Sequence, residues 1–255
     1  MSEADAPPVA SPDASHAPRR RGLPDEVAVV LVADAPTLGP RATIERVAEI
    51  LAAVPRGSVL VLDRDRVVSR GGSSDLERFE RAARLRELTS RHGACLVISG
   101  RADLAAAVGA DGVQLPEAGL DAATVRRVFP ALWVGRSCHD AAGLERAADD
   151  GADWAILAPV WAPLSKVATS PPLGLDGFGD LVRAARLPIV ALGGVTADRA
   201  GALREAGARA VASLGGILQA CEPKDAAVAL VAAFRAAAPV DRPRETSDKT
   251  RVIVA

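Results

Sequence analysis

One histidine stands where a side chain could move a proton during a reaction. His139 lies in the segment GRSCHD, directly after a short apolar run. Of the other two histidines, His16 lies in a Pro/Ala-rich head and His92 at a predicted helix end. An imidazole exchanges protons near neutral pH, so His139 is our candidate general acid or base, although a helix-start residue without chemistry remains the alternative. We interpret the neighbouring Cys138 as a packing residue, because a continuing strand points it to the opposite side.

Two glycine pairs follow the last two apolar runs of the chain. They are Gly193-Gly194 and Gly215-Gly216, the second at the start of a short predicted helix. Glycines let backbone N–H groups approach a ligand, and a helix start adds its positive end. One pair alone would indicate only a turn. Two pairs after neighbouring strands predict a phosphate site.

Basic side chains follow other apolar runs. Arg64 and Arg66 lie in DRDR after the second run, and Lys166 lies in the long loop after the sixth. A guanidinium binds an anion through two parallel hydrogen bonds, although alternating charges are also typical of a solvated turn. There is no HxH or HExxH motif and no Asp/Glu cluster, so we predict no built-in metal site.

The elements that must position these residues recur along the chain. Short apolar runs alternate with Ala/Leu/Arg/Glu-rich helical segments, as in a parallel sheet covered on both faces. The runs are Val27–Ala33, Ser58–Leu62, Ala94–Ile98, Gly112–Leu115, Leu132–Gly135, Trp154–Ala158, Pro188–Leu192 and Arg209–Ser213. Eight such pairs predict an α/β fold, a (β/α)8 TIM barrel, with the candidate residues at the carboxyl ends of the strands. A doubly wound open sheet is the alternative, but no GxGxxG follows the first run.

Two local patterns support the helices. Gly109, Gly151 and Gly207 each open a repeated Gly-Ala-Asp/Arg turn, which predicts a left-handed residue at a helix end. The segment 75–91 carries one apolar stripe at helical spacing, which we expect to face the core. Its members are Leu76, Phe79, Ala83, Leu85 and Leu88.

Composition sets the protein class. The 255 residues are 49% hydrophobic with a formal net charge of −1, which argues against global disorder and against broad binding to nucleic acid or acidic membranes. Tyrosine is absent, which excludes tyrosine catalysis. The three cysteines Cys95, Cys138 and Cys221 are widely spaced, so we expect no disulfide framework and a cytoplasmic location.

The ends differ from the middle of the chain. We predict a disordered segment over 1–24, one barrel domain over 25–238 and a tail over 239–255. The head lacks the apolar region of a secretory signal, and no stretch is long enough to span a bilayer. Assembly into a homo-oligomer stays open.

The loop segments together match a known sequence pattern. In order and spacing they resemble the thiamine phosphate synthase/TenI superfamily of barrels over about Val27 to Ala237. The motifs are GADGVQLPEAGL (109–120), VGRSCHD (134–140), GADWAILAPVWAPLSK (151–166), PPLGL (171–175), PIVALGGVT (188–196) and EAGARAVASLGGI (205–217).

The resemblance implies a thiazole phosphate as the small-molecule partner, with no nucleic acid and no membrane. The two glycine pairs would hold its phosphate, and Lys166 and Ser137 would orient its carboxylate. Arg64 matches an arginine of the family, and Arg66 stands where lysine is usual. The synthase of the family joins the thiazole to a pyrimidine diphosphate with Mg²⁺, whereas the TenI-type tautomerase moves a proton without a cofactor.

Departures from the family pattern favour the tautomerase. Ser99-Gly100 replaces an Asn-Asp pair, and Gln114 replaces a histidine. The acid expected after the fourth strand is missing, although Glu117 lies two positions early as a possible metal ligand. The segment GRSCH retains the sequence motif of the tautomerase, with His139 at the position of its proton-transferring histidine. A synthase with an altered Mg²⁺ site, a non-catalytic phosphate-binding barrel and another sugar-phosphate barrel are the alternatives.

Overall fold

Eight parallel strands close into a barrel, in the order of the chain. The structure is a computed structural model, which describes residues 22–65, 73–162 and 171–239. The strands are β1 (Val29–Asp34), β2 (Val59–Arg64), β3 (Cys95–Ser99), β4 (Gly112–Leu115), β5 (Trp133–Cys138), β6 (Trp154–Leu157), β7 (Ile189–Leu192) and β8 (Ala210–Ser213). Because β1 also pairs with β8, the described sheet has no free edge. The predicted (β/α)8 barrel is confirmed.

Helices cover the outside of the barrel between successive strands. They are α1 (Ala35–Leu38), α2 (Pro40–Ala53), α3 (Asp75–His92), α4 (Ala102–Ala107), α5 (Ala122–Val128), α6 (Ala141–Asp149), α7 (Gly174–Ala184), α8 (Ala197–Glu205), α9 (Gly215–Leu218) and α10 (Pro223–Ala236). The short helix α1 was not predicted. Among the described residues, no helix is long and apolar enough to cross a membrane.

The barrel has two apolar layers, because neighbouring residues of a strand point to opposite faces of the sheet. One face packs under the helices, where Leu31, Leu96 and Phe178 are fully buried. The other face fills the barrel interior, with Val97 and Trp154 among its members. Side chains therefore occupy the interior, and a ligand has room only at the ends of the strands.

Turn chemistry fixes where the helices begin and end. The Ser74 hydroxyl accepts a hydrogen bond from the Glu77 amide, and the Glu77 carboxylate accepts from the Ser74 amide, a reciprocal cap that starts α3. The predicted left-handed glycines are confirmed, with φ of 66° at Gly109, 78° at Gly151 and 94° at Gly207. Each ends a helix and turns the chain toward the next strand.

The apolar stripe predicted for α3 is only half right. Leu85 is fully buried, but Leu76 and Phe79 are 65% and 42% exposed. The charged side chain of Arg81 is buried instead, because it reaches Asp63 at the end of β2. The predicted tails at 1–24 and 239–255 lie almost wholly outside the described residues.

Candidate active site at the carboxyl ends of the strands

The ends of β5 and β6 hold the candidate proton carrier. Cys138 pairs with Leu157 in register, so His139 and Ala158 follow side by side. Nδ1 of His139 lies 2.5 Å from the Ala158 carbonyl oxygen. A carbonyl only accepts hydrogen bonds, so Nδ1 carries the proton and Nε2 presents its lone pair. The imidazole is 46% exposed and open to a ligand.

Glu117 faces the other nitrogen of this imidazole. Its Oε2 lies 3.7 Å from Nε2 of His139, and its Oε1 lies 3.6 Å from Nη2 of Arg146. The loop that carries Glu117 is held by Arg136, which donates to the carbonyls of Glu117 (2.9 Å) and Leu120 (2.5 Å). The β4–α5 loop therefore places a carboxylate beside the histidine, and sequence reasoning had considered Glu117 only as a metal ligand.

A polar chain crosses the barrel interior below His139. Nε1 of Trp154 donates to Oε1 of Gln114 at 3.0 Å, and Nε2 of Gln114 lies 3.2 Å from Oγ of Ser137. These residues come from β6, β4 and β5, and Gln114 and Trp154 are 3% and 1% exposed. Sequence reasoning noted Gln114 only as a departure from the family, and missed its contacts with Trp154 and Ser137.

The two glycine pairs lie side by side. Leu192 of β7 pairs with Ala212 of β8, which brings the residues after the two strands together. Gly193 and Gly194 adopt positive φ values of 109° and 61°, and α9 begins at Gly215. Within the described ranges, none of the four glycine N–H groups donates to a protein acceptor. The predicted juxtaposition of the pairs is thus present, and their N–H groups are left to bind an anion.

The chain after β6 packs directly on the first glycine pair. A Cβ on Gly193 would lie 2.9 Å from Pro159, and one on Gly194 would lie 2.7 Å from Cβ of Trp161. Arg199 of α8 donates to the Gly194 carbonyl at 2.8 Å and lies 4.8 Å from the centre of the Trp161 ring. Close packing alone therefore requires glycine at both positions.

The structure describes only one of the three predicted basic residues, Arg64. Nε of Arg64 lies 2.8 Å from Oδ1 of Asp34, so this guanidinium is held by a carboxylate at the end of β1. Arg66 and Lys166 lie outside the described residues. Their roles stay predictions.

Cys138 is a packing residue. It is fully buried under the helices, and its thiol donates to the Gly143 carbonyl at 3.3 Å. Burial raises the pKa of this thiol to about 11. A thiolate nucleophile at neutral pH is therefore disfavoured.

The described carboxylates do not fit a magnesium ion held by the protein. No group of three or more His, Cys, Asp or Glu residues suited to a metal occurs in the part of the chain that the structure describes. Ser99 and Gly100 bring no carboxylate to the end of β3. Glu117 faces His139 and Arg146, and Asp34 faces Arg64.

Comparison with known proteins agrees with the barrel and with its loops. The family model described as thiamine monophosphate synthase matches residues 29–217. The putative thiamine-phosphate synthase of Geobacter sulfurreducens is 38% identical over 60% of this chain and 73% of its own length. The thiamine-phosphate synthase of Chloroflexus aurantiacus is 33% identical over 68% of this chain and 78% of its own length.

Other matches are partial or structural. The bifunctional protein ThiM/ThiE of Symbiobacterium thermophilum is 41% identical over 62% of this chain, but this chain covers only 33% of it. The thiamine phosphate pyrophosphorylase structure from Pyrococcus furiosus superposes with a TM-score of 0.70 over 83% of this chain and 97% of its own. It is 24% identical, so it supports the fold alone.

Proposed function

Because the chain belongs to the thiamine monophosphate synthase/TenI family, we propose that it is a thiamine phosphate synthase. It would join 4-methyl-5-(2-phosphoethyl)thiazole to hydroxymethylpyrimidine diphosphate and release pyrophosphate. The observation that carries this proposal is the family match over residues 29–217, together with relatives that are named synthases. These names favour the synthase over the tautomerase, the reverse of the order that the GRSCH motif suggested.

The geometry supports a thiazole phosphate at the carboxyl ends of the strands. The N–H groups of Gly193, Gly194, Gly215 and Gly216 would bind the phosphate, because they have no protein acceptor among the described residues. The ring would then extend toward β5, where Ser137 and His139 lie.

The reaction forms one bond and breaks another. The thiazole ring nitrogen would attack the exocyclic CH₂ carbon of the pyrimidine, a C–N bond would form, and the C–O bond to the diphosphate would break. The diphosphate leaves with the electron pair. The part of this chain is to hold both substrates in line and to exclude water, which is worth several orders of magnitude in rate. Hydrogen-bond donors at the mouth of the barrel, which the carboxyl ends of the strands form, would stabilise the charge on the leaving group.

The missing carboxylates are the main departure from a synthase. Because the described residues do not fit a protein-held magnesium ion, we assign no step to one. That a synthase here needs Mg²⁺, and that it works in the cytoplasm, are proposals.

One observation favours a second candidate, the thiazole tautomerase. In the neutral ring of His139, Nδ1 donates to Ala158 and Nε2 carries the lone pair, which lies beside Glu117. In that reaction Nε2 would accept a proton from the ring and return one at another ring position, so no other reactant is needed.

A pair of assays separates these functions. The purified full chain is given thiazole phosphate and pyrimidine diphosphate, with and without Mg²⁺, and thiamine phosphate and pyrophosphate are measured. In parallel it is given the unaromatised thiazole carboxylate phosphate, and aromatisation is followed by absorbance. Thiamine phosphate formation supports the proposal, and aromatisation alone replaces it with the tautomerase. Thermal stabilisation by thiazole phosphate without turnover would instead indicate a non-catalytic binding barrel.

A further inference from the structure

The polar chain from Trp154 through Gln114 to Ser137 has a defined direction. An indole N–H is only a donor, so the amide oxygen of Gln114 must face Trp154. The amide NH₂ then faces Ser137 and has no lone pair to offer it. Oγ of Ser137 is therefore the acceptor of this bond, at 3.2 Å.

This direction decides what Ser137 can do. Its oxygen already accepts from Gln114, so its hydroxyl hydrogen points elsewhere, and no protein acceptor for it occurs among the described residues. Ser137 is the residue before Cys138, the end of β5, and shares its face of the strand with His139. The hydroxyl is therefore a donor directed to the mouth of the barrel.

The residues around Gln114 and Trp154 keep these two side chains in contact. Gln114 and Trp154 are 3% and 1% exposed, so the hydrogen bond between amide and indole is shielded from solvent. A Cβ on Gly135 would lie 2.1 Å from Oε1 of Gln114 and 2.4 Å from the Trp154 ring, so only glycine leaves room for their contact.

We propose that Trp154 and Gln114 are positioning residues that fix Ser137 as a hydrogen-bond donor to an anionic oxygen of the ligand. This oxygen is distinct from the thiazole phosphate, which the glycine pairs would hold beyond β7 and β8. Its two sources are the leaving diphosphate of the synthase reaction and the ring carboxylate of the tautomerase reaction. The inference rests on the proposed function for the presence of such a ligand.

The experiment compares two buried tryptophans. Trp154→Phe removes the indole donor and keeps an aromatic ring, so Gln114 loses the partner that orients it. Trp133→Phe is the matched control, because Trp133 also lies in the barrel interior, at 4% exposure, and makes no hydrogen bond to Gln114 in the described structure. Dissociation constants are measured by calorimetry with inorganic pyrophosphate, with thiazole carboxylate phosphate and with thiazole phosphate lacking the carboxylate.

We expect Trp154→Phe to weaken one of the first two probes by about tenfold, while Trp133→Phe changes it less than about twofold. The affected probe identifies the source of the anionic oxygen. Thiazole phosphate without the carboxylate should bind both variants as it binds the wild type. If the two variants differ in thermal unfolding, Gln114→Met is measured as well, because it nearly keeps the size of the side chain and adds no charge. Its side chain lacks the NH₂ group that donates to Ser137, so we expect the same probe to bind more weakly.

A double variant separates the positioning of Ser137 from a general structural effect of Trp154→Phe. Ser137→Ala combined with Trp154→Phe should bind the affected probe no more weakly than Ser137→Ala alone, because both act through one hydroxyl. Additive losses, or equal losses in the two Trp→Phe variants, would overturn the inference. If wild type binds a probe and Trp154→Phe changes nothing, the inference alone is wrong. If wild type binds none of the three probes, the proposed function fails with it.

Discussion

Nε2 of His139 lies 3.7 Å from Oε2 of Glu117, while Nδ1 of the same ring lies 2.5 Å from the Ala158 carbonyl oxygen. The backbone contact fixes which nitrogen is free, and the carboxylate faces that nitrogen. Among the described residues, this pair is the arrangement best suited to proton transfer.

This relationship predicts the behaviour of His139→Asn. The rate at which the unaromatised thiazole carboxylate phosphate is aromatised should fall by at least about 10²-fold, because general acid–base catalysis is worth that much or more. Affinity for thiazole phosphate should stay unchanged, since we propose that the glycine pairs, and not His139, bind its phosphate. His92→Asn, at the end of α3, is the control. An active His139→Asn enzyme would remove His139 from the chemistry.

Gly194→Ala should weaken thiazole phosphate binding. Its φ of 61° disfavours a side chain, and the added Cβ would lie 2.7 Å from Cβ of Trp161 and 2.8 Å from the Ala162 carbonyl oxygen. The loop would have to move, with its N–H groups. Gly109→Ala is the matched control, because its φ is 66° and no atom lies within 4 Å of the added Cβ. We expect it to lose about 1 kcal/mol of stability and to bind normally. Equal binding by both variants would contradict the phosphate site.

Arg81→Leu should strongly destabilise the barrel. Nε of Arg81 lies 3.0 Å from Oδ1 of Asp63, and their side chains are 2% and 1% exposed. Removing the arginine leaves a buried unpaired carboxylate, which costs about 3–5 kcal/mol in unfolding free energy. Urea unfolding measures this change.

The double variant Asp63→Leu/Arg81→Leu should recover most of that loss. Burial raises the pKa of the Asp63 carboxyl, and the attraction of Arg81 only partly offsets it. A carboxyl with a raised pKa adds stability at low pH that disappears as the pH rises through that pKa, so at neutral pH the charge of Asp63 is a cost. A double variant as unstable as Arg81→Leu would show that the pair itself is stabilising.

The three cysteines should differ in reactivity. Cys221 is exposed, whereas Cys95 and Cys138 are buried. Burial raises the pKa of Cys138 to about 11, so at pH 8 this residue is almost wholly the unreactive thiol. Iodoacetamide on the native protein should therefore label Cys221 alone within minutes, as peptide mass spectrometry would show. Fast labelling of Cys138 would contradict its burial.

The barrel was predictable because its signals are local. Continuous apolar runs mark strands buried on both faces, and Gly109, Gly151 and Gly207 mark helix ends by their conformation. The placement of His139 and the glycine pairs followed, since the carboxyl ends of parallel strands share one rim.

What sequence reasoning missed depends on contacts between distant residues. Gln114 and Trp154 are 40 positions apart, and nothing in either segment indicates that their side chains meet. The predicted apolar stripe of α3 was partly wrong for the same reason. Arg81 is buried because it contacts an aspartate 18 positions away, and helical periodicity cannot reveal that contact. Arg136 and Glu117 likewise meet only because β4 and β5 are neighbours.

We propose that the carboxyl-terminal mouth of this barrel binds a thiazole phosphate between the glycine pairs and His139. A crystal structure of the full chain soaked with thiazole phosphate is the direct test of this site. We expect phosphate density within hydrogen-bond distance of the N–H groups of Gly193, Gly194, Gly215 and Gly216, with the ring directed toward His139 and Ser137. Phosphate bound elsewhere on the protein, or an empty mouth at saturating ligand, would contradict it.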